Sequence, residues 1–363
     1  MWGVIRKLCG ALAAGLVLGL LCNPSAHGQV MGEIRKIDPS EQGFYSKELT
    51  VRGIRILAHA DVSDAAIGEA GRRLDRQLGR APEIEANMAA MRAEMHVIGK
   101  DQQVSDLPEY RHMKGKAVDG LETIDSRGRG YGGLHSSCCE ENLLSLPTDR
   151  WKDHRDICMH EFAHAIFSFG ITREMRDMVE AQRKKSLAGG RWKTMYAAGN
   201  AGEFFAELTM WYFGTRGDYG KLTPHPEPGP QWLRSYDPEA YDLIDAIYSG
   251  RLKPAEVQAK ELLPLGPGAE GKVRSKDHQP ATTVIFVNKT GKPIKRFWLD
   301  VEGNRKNYGV VLPGGVDSIS TFVTHAWLIE SGEGEFLGIF VAEEAIGRIV
   351  IREAGRVAMP QEK

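Results

Sequence analysis

The stretch His160-Glu161-Phe162-Ala163-His164 sets two imidazoles four residues apart, with a carboxylate beside the first. On a helix, residues four apart share a face, so both histidines can reach one ion. That pattern suits zinc, with two neutral imidazoles as ligands and Glu161 placed to take a proton from a polarised water. Further along, Glu203-Phe204-Phe205-Ala206-Glu207 repeats the same spacing with carboxylates. One of them can complete the ligand set while the other braces a ligand histidine. Two His and one Glu leave a coordination position for water, which a structural zinc would fill with protein. The chemistry implied is hydrolysis of a peptide bond with one zinc ion per chain. The plain alternative is a metal-free helix pair joined by His–Glu hydrogen bonds.

Both motifs lie in apolar runs, 156–169 (DICMHEFAHAIFSF) and 201–213 (AGEFFAELTMWYF), which predict two buried helices. Ahead of them, residues 53–60 and 94–98 read as strands. Residues 61–79 carry apolar positions at helical spacing behind a cap at Ser63 or Asp64, and Pro82 opens a second helix. Residues 127–133 (RGRGYGG) lack the Lys and Ser/Thr of a phosphate cradle, so a flexible loop or edge strand rimming the cleft is expected. A last helix is expected over 237–248.

These residues resemble the catalytic domain of the anthrax lethal factor-like zinc metallopeptidases, most firmly over 155–213. The resemblance implies an α+β zincin-like fold, with His160, His164 and Glu203 as zinc ligands and Glu161 as the catalytic base. It implies that Glu207 supports a ligand and that Tyr196, seven residues before Glu203, steadies the oxyanion. It implies nothing about the substrate.

Lys and Arg number 47 against 48 Asp and Glu, a net charge of -1, which removes any global case for nucleic-acid binding. With 42% hydrophobic residues the chain can build a sizeable core. Residues 1–28 read as a signal peptide: Arg6 and Lys7, an apolar run over 8–22, then Ala26-His27-Gly28 as a cleavage site. The run falls short of the roughly 20 residues that span a bilayer. A secreted or periplasmic protein without stable membrane insertion is therefore expected. Its cysteines are then Cys138, Cys139 and Cys158. One bridge from Cys158 to Cys138 or Cys139 is an option beside three buried thiols; adjacent Cys138 and Cys139 should not pair.

Composition changes after residue 253. Prolines and glycines over 254–281 predict a linker. Short runs rich in β-branched and aromatic residues then fill 282–352, ahead of a tail at 353–363, and predict a small all-β domain, a sandwich or barrel. VIFVN at 284–288, FWLDVEG at 297–303, Tyr308, LPGG at 312–315 and THAWLI at 324–329 resemble the von Hippel–Lindau tumour suppressor β domain. That resemblance implies a pocket for a hydroxylated proline at Trp298, Tyr308, Thr321, His325 and Trp327, with Thr321 in place of serine. The expected organisation is a zinc metallopeptidase-like domain over 29–253 and an accessory or peptide-binding sandwich. Its expected partner is a protein or peptide, proline- or hydroxyproline-containing. A catalytically silent zinc protein that works through its β domain is the competing expectation.

Overall fold

A five-stranded sheet carries the N-terminal half. In the computed structural model, which describes residues 31–118, 122–151, 153 and 155–353, strands β1 (Arg35–Glu41), β2 (Tyr45–Val51) and β3 (Ile54–Ala58) form an antiparallel meander. β4 (Glu94–Ile98) and β5 (His135–Cys139) then add in parallel. The expected signal peptide lies outside the described residues, as do residues 354–363.

Parallel β3 and β4 need a crossover, supplied by α1 (Asp64–Leu78) and α2 (Pro82–Met91). The Ser63 side chain caps α1 by accepting from the Ala66 N–H, and Pro82 opens α2. Ile67, Ala70, Leu74 and Leu78 of α1 join Ile54, Ile56, Met95 and Val97 in the main core. α3 (Ile157–Ala165) carries the HExxH motif and ends in a π-turn, Ile166–Gly170. α4 (Arg173–Ala188) leads to α5 (Ala201–Tyr212), which is buried nearly all round, as its sequence predicts. α6 (Pro238–Tyr248) closes this half. No helix among the described residues is long and apolar enough to cross a membrane.

The C-terminal region is all β, with seven strands after a short one, β6 (Ala259–Glu261). These are β7 (Ala281–Lys289), β8 (Ile294–Leu299), β9 (Arg305–Val311), β10 (Val316–Phe322), β11 (Ala326–Ser331), β12 (Phe336–Val341) and β13 (Ile346–Arg352). They form two four-stranded sheets, β9-β8-β11-β12 and β10-β7-β13-β6. Val284, Phe286, Ile294, Trp327, Ile329, Phe340 and Ile349 fill the space between them.

Two expectations need correction. Residues 254–281 do not form a free linker: β6 pairs in parallel with β13, and Asn87 donates to the Ala255 carbonyl and accepts from the Val257 N–H. At its other end the Ser275 hydroxyl accepts from the Ala326 N–H. Nor does the sandwich stand apart, because Ile285, Val287 and Ile346 belong to the main core of the N-terminal half. β7 reads VIFV because it is apolar on both faces, one toward each core.

Candidate metal centre

Local capping aims the HExxH helix. Asp156 accepts from the Met159 N–H at 3.0 Å and holds Arg73, and the Asn142 side chain accepts from the Ile157 N–H at 2.9 Å. Asn200 caps α5 by accepting from the Glu203 N–H at 2.9 Å. These two buried helices bring His160, His164 and Glu203 together.

The geometry of the three donors is the test of a metal. The two Nε2 atoms are 3.2 Å apart, and Glu203 Oε2 lies 3.2 Å from His160 and 3.3 Å from His164. Tetrahedral zinc with ligands at roughly 2.0–2.1 Å separates them by about 3.3–3.4 Å, so the triangle fits. Glu203 Oε2 is also buried without a well-aligned hydrogen-bond donor, a costly state that a cation relieves. Burial opposes charge on Glu203, yet the two imidazoles pull its carboxyl down to about 2. Burial likewise opposes charge on His160, while Glu203, Glu161 and Glu207 push it up to about 9. A protein that packs this donor set so tightly fits a divalent ion.

The remaining site residues fall around this triangle. Glu161 lies beside the ligands with its carboxyl raised by burial, and the Gly132 N–H donates to it. Buried Glu207 stands 3.4 Å from His160 Nδ1, behind the ring, where it fixes which nitrogen faces the ion. Tyr196 is exposed, its ring centroid 6.2 Å from that of His160.

Sequence reading missed Asp218. Its N–H donates to Glu207 Oε2 at 2.5 Å and its carboxylate accepts from the Tyr196 N–H at 2.7 Å, tying both residues together. No spacing rule points to it. The glycine loop rims the cleft, as its sequence predicts, with Tyr131 bridging Ser137 at the sheet edge, and it also packs tightly on the HExxH helix. A Cβ at Gly132 would meet His164 Cβ at 2.5 Å, and one at Gly130 would meet Ile157 at 2.7 Å. Gly132→Ala is therefore expected to push His164 off the triangle and to weaken the affinity of the triangle for a divalent ion such as zinc about 10–100-fold, the range for disturbed ligand supports. Competition against a chelator checks it, and wild-type affinity would show that the loop gives way.

The thiols differ from the bridged option. Cys138, Cys139 and Cys158 are free and buried. Cys138 hydrogen-bonds Cys158, whereas Cys139 lies on the other side of β5, beside Glu141 and Arg129. Period-2 alternation sends the neighbours to opposite faces, so only Cys138 reaches α3.

A second His–Glu group, Glu94, His96 and His135, spans β4 and β5. His96 Nδ1 is 2.6 Å from Glu109 and its Nε2 is 3.1 Å from Glu94, whose other oxygen takes Arg55 at 2.8 Å. Tyr45 donates to Glu109 at 2.8 Å. With both ring nitrogens engaged, this is a buried ion network, not a vacant ligand set. Burial opposes charge on His96, but Glu109 and then Glu94 hold it protonated up to about 10.

In the sandwich all five pocket residues are neighbours. Thr321 Oγ1 is 3.0 Å from His325 Nδ1, Trp298 lies 5.1 Å from the His325 ring, and Tyr308 lies 5.0 Å from Trp327. Tyr308 is exposed, while Thr321 and Trp327 are buried. The indole N–H groups of Trp298 and Trp327 are buried without an acceptor. Burial lowers the His325 pKa, which favours a neutral ring able to donate and accept.

No curated protein matches the chain. A family model does, over the second half of the molecule only: residues 273–341, from within the supposed linker to the end of β12, match the VHL beta domain.

Proposed function

We propose that this chain is an exported zinc metallopeptidase whose β domain binds peptide. The observation that carries the reading is the near-equilateral triangle of His160 Nε2, His164 Nε2 and Glu203 Oε2 with Glu161 beside it. Zinc held by those three residues would supply Lewis acidity toward water and the scissile carbonyl. Glu161 takes the proton of the attacking water and passes it to the leaving amine. Its raised pKa suits a group that must accept and then release a proton. The Tyr196 hydroxyl, exposed to the cleft, donates to the carbonyl oxygen as negative charge grows there. Glu207 and Asp218 hold His160 and the Tyr196 turn in register.

Zinc per chain, counted by atomic emission, with cleavage of a mixed peptide library by wild type and Glu161→Gln, tests the reading. No zinc after reloading would sink it. Zinc without cleavage by wild type favours the second reading, a silent zinc protein acting through its β domain.

That second reading draws on the exposed Tyr308 and the Trp298 ring beside His325, an aromatic surface that a bound peptide can cover. In either reading the Thr321–His325 pair, 3.0 Å apart, would bond a 4-hydroxyl held between aromatic walls. A hydroxyprolyl peptide is expected to bind about 10-fold or more tighter than its prolyl twin, since the polar pair is otherwise left unmatched. Equal affinities in calorimetry would remove the modified-proline role.

A further inference from the structure

The face of the sandwich that meets the N-terminal half runs through three successive cross-strand pairs of β10 and β7. They are Val316 with Val287, Ser318 with Ile285, and Ser320 with Thr283. Residues two apart share a face, so all six side chains stand on one surface. The first pair packs against the main core. In the second, Ile285 is in that core while Ser318 Oγ accepts from the Leu134 N–H at 3.0 Å, at the end of the glycine loop. The third pair opens into a cleft of about 540 Å³ shared with His160, Glu161, His164 and Glu203. Along one strand pair the surface thus turns from apolar to polar where it leaves the core and enters the catalytic cleft.

Burial alone does not require that change. β10 is an edge strand, paired only with β7, and its hydroxyls at Ser320 and on Thr283 receive no hydrogen bond from the described residues. The anchor at Ser318 ties this strand to the loop whose Gly132 touches both Glu161 and His164. The wall is thereby fixed relative to the zinc ligands rather than tethered to them.

Resting on the metallopeptidase reading above, we propose that the β domain forms one wall of the substrate cleft and that Ser320 and Thr283 contact the peptide being cut. The domain then selects substrate at the scissile region itself, separately from its Trp298–Tyr308 pocket. Two hydroxyls on a shallow wall take a residue with a hydrogen-bonding side chain, such as Ser, Thr or Asn, and reject a branched aliphatic one that would leave them unmatched.

The test uses the full chain with zinc bound. With Cys9 and Cys22 replaced by serine in every protein compared, the cysteines left are Cys138, Cys139 and Cys158, all buried, so Ser320→Cys offers one accessible thiol for a bulky maleimide. Labelled Ser320→Cys is expected to lose at least tenfold in kcat/KM at unchanged zinc content, while a labelled control at the exposed turn, Glu333→Cys, cleaves at the wild-type rate. Thr283→Val with Ser320→Ala is expected to shift library preference at one subsite toward aliphatic residues. If labelled Ser320→Cys cleaves as fast as the control and the double variant keeps the wild-type profile, the wall is overturned and the peptidase stands. If zinc-loaded wild type cleaves nothing, the peptidase reading and the wall fall together.

Discussion

On the metallopeptidase reading, Glu161→Gln is expected to keep zinc and to lose peptide hydrolysis by about 10²–10⁴-fold, the range that general acid–base catalysis supplies. Glutamine matches glutamate in size and can still accept from the Gly132 N–H, so the loop and the helix have no cause to move. Glu161 is outside the triangle formed by His160, His164 and Glu203, so the ligand set is untouched. What disappears is a carboxylate able to hold a proton between the two halves of the reaction. Glu203→Gln gives the opposite pattern: its Oε2 is one of the three converging donors, and a carboxamide supplies no charge to hold the ion. Zinc stoichiometry beside kcat/KM separates the two. Zinc loss in Glu207→Gln with retention in Glu203→Gln would reverse the ligand assignment.

His96→Leu destabilises the fold by about 3–5 kcal/mol, because removing one member of a buried ion group leaves its partners uncompensated. His96 lies in β4 between Glu94 and Glu109, and both carboxylates are buried or nearly so. Leucine fills the space but neutralises nothing. The same network fixes the pH dependence. His96 rises from 6.5 to about 10 on folding, so its contribution is complete below pH 6.5 and fades as pH climbs through about 10. Glu94 falls from 4.5 to about 2 despite burial, with His96 and then His135 drawing it down. Its contribution is complete above 4.5 and fades as pH drops toward 2. Denaturant unfolding from pH 5 to 10 should show wild type losing stability on the alkaline side and His96→Leu losing less. A flat wild-type curve with a variant of equal stability would contradict this account.

The sequence by itself determined the donors. HExxH and EFFAE each rely on a spacing of four, and helical periodicity turns that spacing into a shared face without any distant contact. It also determined the early strand–helix order through Ser63 and Pro82, and the strands 282–341 through alternation, which the VHL beta domain match bears out. Tertiary structure alone decided how the two helices meet in a triangle of 3.2–3.3 Å. It decided that Gly132 presses on His164, that Asp218 ties Glu207 to Tyr196, and that His96 is clasped by Glu94 and Glu109. It also turned the supposed linker into a sheet edge and set Ser320 and Thr283 in one cleft with His160, His164 and Glu203. The physical reason is range. Caps, helical faces and strand alternation are settled within a few residues, whereas these contacts join segments far apart in the chain and exist only once a common core has closed around them.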